Sequence, residues 1–169
     1  MAKIAIVYYS TYNHVSTMAE TIKKGIESVD GPDPRRPQEG LPYRHPGHPE
    51  GGGRHPVRLP TRFGSLPSQM KAFFDSCGGL WAAGALVGKP AGIFFSTGTQ
   101  GGGQETTAFT ALTFLAHQGL TYVPLGYRAP ELANMEESTA ARPGPSKLEL
   151  TVATTQGKSF AEIAKKLAA

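Results

Sequence analysis

The first thirty residues pass from a short apolar run to a helical stripe. Residues 3–9 are mostly apolar, β-branched or aromatic, which predicts a strand buried on both faces of a parallel sheet. After a polar turn, apolar residues recur at helical spacing with lysine and glutamate on the opposite side; these are Val15, Met18, Ala19, Ile22, Ile26 and Val29. The pattern predicts a strand, a polar loop and a helix, which together open a βα unit.

A second strand, loop and helix follow in the second half of the chain. Residues 91–95 form another apolar run, and the glycine-rich turn at residues 96–103 separates it from a helical stripe of Ala108, Ala111, Leu112 and Leu115. Gly119 lies where a helix ends on glycine, and residues 120–125 predict a last strand. Pro124 favours an edge position for that strand because it donates no ladder hydrogen bond.

The C-terminal helix has a readable start. Ser146 and Glu149 form an S-x-x-E capping box ahead of apolar positions at Val152, Phe160, Ile163 and Leu167. Strands alternate with helices along the whole pattern. The chain is therefore predicted to be an α/β protein with helices on both faces of a parallel sheet.

Residues 31–60 break this alternation. They hold eight of the fourteen prolines, six glycines and three of the five histidines, and only four clearly apolar residues. No strand or helix is expected to persist there, so residues 31–59 are predicted to be an aberrant, disordered segment. The histidines His45, His48 and His55 could be grouped as a metal site, but no carboxylate or cysteine framework accompanies them, and disorder is the favoured interpretation.

Length and cysteine content limit the class of protein. The 169 residues fit one domain, predicted to span 1–169. No apolar run is long enough for a secretory signal or an integral membrane segment, so a soluble, cytoplasmic protein is expected. Cys77 is the single cysteine, which excludes an internal disulfide and a multi-thiolate zinc site. It is predicted to be a small, half-buried residue at a helix end, and no metal is expected.

The positive charge of the chain does not indicate a nucleic-acid partner. Net charge is +4, and residues 31–60 alone supply +2, from five arginines against three acidic residues. Aromatic residues do not alternate with basic ones, and no recognition helix is apparent. We therefore expect no nucleic-acid binding.

The polar turn after the first strand has the composition of a phosphate site. A turn between a buried strand and a helix exposes backbone N–H groups at the positive end of the helix dipole. Ser10, Thr11, Asn13 and His14 add side-chain donors. Because the turn lacks the patterns of a triphosphate loop and of a dinucleotide turn, a mononucleotide is predicted. A loop of capping residues without a ligand is the alternative.

Two further loops should lie at the same edge of the sheet. The four glycines between Ser96 and Gly103 would let backbone approach a flat ring, and open α/β sheets bind ligands beside the carboxyl ends of their strands. Residues 60–64, Pro-Thr-Arg-Phe-Gly, place an arginine and an aromatic residue after another strand end. A flexible surface turn is the alternative for the glycine loop.

Four segments in order resemble the signatures of the WrbA-type NAD(P)H:quinone oxidoreductases. They are residues 8–14 (YYSTYNH), 60–64 (PTRFG), 78–81 (GGLW) and 96–104 (STGTQGGGQ). The resemblance covers roughly residues 1–30, 60–136 and 146–168. It implies a flavodoxin-like three-layer sandwich that binds FMN at the carboxyl end of a parallel sheet, and subunits that form homotetramers with active sites near the subunit contacts.

The resemblance also implies roles for individual residues. The phosphate would be held by Ser10, Thr11, Tyr12, Asn13, His14 and Val15. The flavin ring and its ribityl chain would be bound by Thr61, Arg62, Phe63, Ser96, Thr97, Gly98, Thr99, Gln100, Gly101, Gly102 and His117. Tyr12 and Trp81 would wall the pocket where nicotinamide and quinone bind in turn, and no side chain need act as a nucleophile. Trp81 could instead be core, and His117 could instead cap a helix end.

Departures from the family pattern leave alternatives open. Residues 31–59 stand where the family has its second strand, a helix and most of its third strand, so those elements are expected to be missing. Residues 137–145 replace a glycine-rich loop of the family. Asn13 stands where the family commonly has glycine, and asparagine tolerates the left-handed backbone that glycine would adopt. The expected activity is two-electron reduction of a quinone by NADH or NADPH through FMN. The alternatives are a one-electron flavodoxin-type carrier, whose usual acidity this basic chain lacks, and an inactive product of an erroneous gene model.

Overall fold

A computed structural model describes residues 3–10, 12–30, 33–34, 38–39, 55–99, 101–133 and 144–167. Within these ranges the strands are β1 (Lys3–Ile4), β2 (Val7–Tyr8), β3 (Asp33–Pro34), β4 (Gln38–Glu39), β5 (His55–Pro60), β6 (Pro90–Ser96) and β7 (Thr121–Tyr122). The helices are α1 (His14–Glu27), α2 (Ser68–Ser76), α3 (Gly78–Ala82), α4 (Gln104–His117) and α5 (Lys147–Lys166), with a 3₁₀ turn at Pro130–Ala133.

The sheet is parallel and doubly wound. Its order is β4-β2-β5-β6-β7, and β1 pairs separately with β3. If β1 and β2, which precede α1, are counted as the first strand, and β3 and β4, which follow it, as the second, the order is 2-1-3-4-5, the flavodoxin-like order. β7 lies at an edge, as Pro124 predicts.

Two apolar clusters lie on opposite faces of the sheet and make the molecule three-layered. The first joins α1 and α5 to the sheet through Ile4, Ile6, Ile22, Ile26, Phe94 and Phe160. The second joins α2 and α4 to the other face through Met70, Phe74, Ala91, Ile93, Ala111 and Leu115. Adjacent strand residues such as Ile93 and Phe94 enter opposite clusters because side chains alternate along a strand. The predicted α/β sandwich is confirmed.

Residues 31–60 hold more strand than their composition predicts. At the position of the second strand, the described residues form the two-residue strands β3 and β4. The expectation that no strand persists is wrong for β5, which is six residues long and pairs with both β2 and β6. Thr61 N–H donates to the Ser96 carbonyl at 3.1 Å, so odd-numbered amides of β5 face β6. Pro56 and Pro60 therefore have their missing donors on the β2 side, and the ladder with β6 stays intact.

Helices α1 and α5 pack at backbone contact. A Cβ placed on Gly25 would lie 2.2 Å from the Thr154 carbonyl oxygen, and one on Gly157 would lie 2.1 Å from the Ile22 oxygen. His14 meets Glu149 where the two helices begin, and Lys165 donates to the Asp30 carbonyl where they end, so the helices run parallel and their N-termini lie side by side. The capping box at Ser146 is formed in both directions, as predicted.

No helix in the described ranges is both long enough and apolar enough to cross a membrane.

Candidate functional site

Three loops follow three neighbouring parallel strands. β2 ends at Tyr8, β5 at Pro60 and β6 at Ser96, and these strands are adjacent in the sheet. The segments that the sequence singles out therefore begin at one edge, the carboxyl edge. This is where ligands bind in open α/β sheets.

The first loop presents free donors at the start of α1. Asn13 is the residue before the helix and adopts left-handed backbone (φ 59°), as glycine would. Its carbonyl accepts from the Thr17 amide at 3.0 Å, while no described carbonyl or side chain accepts from the amides of Val15 and Ser16. No side chain caps this helix. Within the described part of the chain, the first turn thus offers the Ser16 amide to an anion.

Two side chains of the same loop carry buried polar atoms that lack a hydrogen-bond partner. They are the Ser10 hydroxyl and Nε2 of His14. A buried, unsatisfied polar atom costs about 1 to 3 kcal/mol, so such atoms in a native fold call for a bound group. Val15 instead packs into the core, and Thr11 lies outside the described residues. The Ser10 hydroxyl fits the phosphate of a mononucleotide such as FMN, whereas His14 Nε2 lies beside the Glu149 carboxylate.

The second loop is a tight turn that holds an aromatic ring outward. Arg62 and Ser65 exchange two backbone hydrogen bonds, at 2.9 and 3.0 Å, and Arg62 Nη1 donates to the Thr61 carbonyl. Phe63 (φ 50°) and Gly64 (φ 73°) are both left-handed, and the Phe63 side chain is fully exposed. Left-handed backbone is unfavourable for a bulky residue, and strain of this kind clusters at ligand sites.

The glycine-rich loop packs directly on this turn. A Cβ on Gly103 (φ 80°) would lie 2.7 Å from Gly64 Cα. The hydroxyl of Thr107 donates to that of Thr61 at 3.1 Å, which ties α4 to the end of β5. Within the loop, Gln104 Nε2 donates to Thr97 Oγ1. Gly98, Gly101 and Gly102 are exposed, and Gln100 lies outside the described residues.

The two residues expected to wall the substrate pocket are both exposed aromatics. Tyr12 is 86% exposed beside the first loop. Trp81 is 63% exposed on the short helix α3, so it is not a core residue.

His117 lies away from the three loops within one chain. It is an exposed residue in the last turn of α4, and α4 begins at Gln104 next to the glycine-rich loop. Fourteen helical residues span about 20 Å. One chain therefore does not bring His117 to the carboxyl edge, and its position at a helix C-terminus suits the helix-capping alternative.

The sequence patterns did not identify Glu149 as a neighbour of the first loop. Glu149 Oε1 lies 3.5 Å from His14 Nε2. The capping box identifies Glu149 as a helix start, but nothing in the local sequence places α5 beside the first loop. A pattern of local spacing cannot report a contact between residues so far apart along the chain.

The other residues considered for chemistry are Cys77 and the histidines that could bind a metal. Burial raises the pKa of the Cys77 thiol, against a smaller opposing effect of the Ser76 hydrogen bond, so this cysteine is not an activated nucleophile. Among the described residues, no group of three or more histidine, cysteine, aspartate or glutamate side chains could hold a metal. His45 and His48, and the side chain of His55, lie outside what is described.

A cavity between the sheet and α5 is too small for a cofactor. It measures about 10 Å³ and is lined by nine residues, Ile22, Gly92, Phe94, Val123, Pro124, Leu125, Gln156, Ser159 and Phe160. That volume admits at most one water molecule.

The sequence is similar to those of known proteins. Residues 57–133, which include the second and third loops and Trp81, match the family model of NADPH-dependent FMN reductases. The chain is 44% identical to a quinone oxidoreductase of Triphysaria versicolor, over 98% of this chain and 96% of the relative. It is 43% identical to an NAD(P)H quinone oxidoreductase of Candida albicans, over 97% and 98%. The first alignment extends over 197 residues against 169 in this chain, so the relative has residues that this chain lacks.

Solved structures share the fold. A WrbA-like flavodoxin from Agrobacterium tumefaciens superposes with a TM-score of 0.72 at 23% identity, covering 98% of this chain and 99% of the other. An archaeal flavodoxin gives a TM-score of 0.67 at 22% identity, covering 96% and 99%.

Proposed function

Because this chain belongs to the WrbA-type, flavodoxin-like NAD(P)H:quinone oxidoreductases, we propose that it reduces quinones to hydroquinones by two-electron transfer from NADH or NADPH, with FMN as its cofactor. The single observation that carries the proposal is the first loop. It combines an unpartnered, buried Ser10 hydroxyl with amides at the start of α1 that donate to no described residue. When bound, FMN supplies the redox chemistry, which no side chain of the protein provides.

In this proposal the first loop binds the phosphate. Ser10 donates its hydroxyl hydrogen, and the amides of Val15 and Ser16 donate at the positive end of the α1 dipole. Hydrogen bonds to a charged acceptor are about twice as strong as neutral ones. Asn13 keeps the backbone turned so that these amides point outward.

The second and third loops position the flavin ring. Phe63 offers an aromatic face that the turn holds outside the core, and Thr61 to Phe63 flank the ring. Ser96, Thr97, Gly98, Thr99, Gln100, Gly101 and Gly102 supply donors and close backbone approach at its edge. The contact of Gly103 with Gly64 holds the two loops as one support.

Tyr12 and Trp81 wall the pocket in which nicotinamide and quinone bind in turn. Both are exposed aromatics that can stack on a flat substrate. His117 would join such a site only from a second copy, because α4 holds it at the far end of its own chain. We therefore include a homotetramer in the proposal, supported by large apolar side chains left exposed, among them Val87, Phe109 and Tyr127. A cytoplasmic location is part of the same proposal.

A one-electron carrier is the rival function, and a direct reaction separates the two. The holoprotein mixed with NADPH alone, in a stopped-flow instrument without a reductase, should lose its oxidised-flavin absorbance and recover it when quinone is added. A carrier would stay oxidised under these conditions.

Cofactor binding tests the phosphate seat itself. Apoprotein should bind FMN at least tenfold more tightly than riboflavin, which lacks the phosphate; that ratio corresponds to about 1.4 kcal/mol. Ser10→Ala should reduce the preference without changing riboflavin binding. Equal affinities of the unmodified protein for the two flavins, measured by fluorescence quenching, would refute the assignment of this loop.

A further inference from the structure

Glu149 divides its two carboxylate oxygens between two tasks. Oε2 accepts from the Ser146 amide at 2.7 Å and completes the capping box of α5. Oε1 is turned the other way, 3.5 Å from Nε2 of His14 at the start of α1. A capping box uses one oxygen, so the second is free to act on the neighbouring helix.

The packing of the two helices fixes this contact. Gly25 and Gly157 let α1 and α5 approach to backbone contact, with Gly157 facing Ile22. Ile22 and Gly157 each lie eight residues beyond His14 and Glu149. The parallel pair is thus held in one register, and His14 meets Glu149 at the N-terminal end as a consequence.

The contact joins a ring nitrogen of His14 to a carboxylate oxygen of Glu149. His14 Nε2 is buried and makes no hydrogen bond, and the carboxylate oxygen that lies 3.5 Å from it is a pure acceptor. A carboxylate close to a phosphate seat would repel the dianion if nothing stood between them. The His14 imidazole lies against that carboxylate, which orients the ring beside the first turn of α1.

We propose that Glu149 is a positioning residue for the FMN phosphate, and that it acts by orienting His14 across the α1–α5 interface. The inference rests on the proposed function, since it presupposes that the first loop binds the phosphate. It adds a residue of the C-terminal helix to a site otherwise built from loops that follow strands.

Two substitutions separate this role from helix capping. Glu149→Gln keeps an acceptor for the Ser146 amide, because glutamine also completes a capping box, but it presents a neutral amide to His14. It should weaken FMN binding about tenfold, leave riboflavin binding unchanged, and leave the melting temperature within a degree of the parent. Ser146→Ala removes a cap and keeps the carboxylate. It should lower the melting temperature by about 2 to 4 °C and leave the ratio of FMN to riboflavin affinity unchanged.

A double-mutant cycle tests whether Glu149 acts through His14. In a His14→Gln background, Glu149→Gln should cause no further change in the FMN to riboflavin ratio. Equal effects of Glu149→Gln in both backgrounds would overturn the inference, as would tighter FMN binding by Glu149→Gln, which would identify the carboxylate as a repulsive charge. An unchanged ratio in Glu149→Gln overturns the inference alone. Failure of the parent to prefer FMN overturns the proposed function with it.

Discussion

Replacing Gly103 with alanine should weaken FMN binding, because it pushes the glycine-rich loop away from the turn that contains Gly64. Gly103 has φ 80°, where an alanine costs about 1 to 2 kcal/mol. Its new Cβ would lie 2.7 Å from Gly64 Cα, well inside the 3.4 Å of ordinary contact, and the crowded atom is backbone. Overpacking of this kind costs about 1 to 3 kcal/mol, so the total is about 2 to 5 kcal/mol.

This free-energy cost should appear partly as weaker FMN binding and partly as lower stability of the fold. If the turn around Gly64 shifts to relieve the contact, FMN affinity falls, by about thirtyfold or more when the whole cost appears there. If the turn resists, the melting temperature falls instead. Titration of apoprotein with FMN and thermal unfolding of the apoprotein measure the two parts separately.

Gly88→Ala is the matched control for this substitution. Gly88 has φ 72°, yet no atom lies within 4 Å of the position its Cβ would take, and it is not part of the candidate site. It should cost only the backbone term in stability and leave FMN affinity at the parental value. An equal loss of FMN affinity in both variants, or parental binding and stability in Gly103→Ala, would show that contact between the loops does not support the cofactor.

Three further outcomes are expected. Trp81→Ala should slow quinone turnover at least tenfold, about 1.4 kcal/mol, with flavin content and circular dichroism unchanged; loss of flavin would instead give Trp81 a structural role. Gly157→Ala should destabilise the protein by about 1 to 3 kcal/mol, since its Cβ meets backbone, whereas Gly79→Ala in the open helix α3 should be neutral or stabilising by up to about 1 kcal/mol; the same sign of change in both melts would contradict this. A chain whose residues 31–54 are replaced by the corresponding segment of the Triphysaria relative should retain more FMN on purification and melt more sharply; stoichiometric FMN in the unaltered chain would remove the need for that segment.

The sequence correctly predicted the features that depend on interactions between residues close together along the chain. The capping box at Ser146 and Glu149 formed as spaced, and the glycine at position 119 follows the end of α4 with φ 71°. Asn13 adopted left-handed backbone, as its residue type permits. In each of these the deciding interaction spans a few residues, so the sequence window contains it.

Tertiary context decided the rest. The prolines of β5 predict a broken strand, but whether a missing donor matters depends on which neighbour it faces, and that is set by pairing with β6. The contact between Glu149 and His14 likewise depends on the register of two distant helices. The resemblance implies that His117 binds the flavin, but within one chain His117 lies away from the carboxyl edge, at the far end of α4.

The prolines of β5 leave the seam between β2 and β5 sparsely bonded. Their pairing covers two residues of each strand, whereas β5 and β6 pair over six. The proposed phosphate seat lies on one side of this seam, after β2, and the proposed ring supports lie on the other, after β5 and β6. A flavin bound at both would connect the two sides of this sparsely paired seam. Backbone amides at Val7 and Tyr8 should then exchange hydrogen faster in apoprotein than in holoprotein, by a larger factor than those of β6.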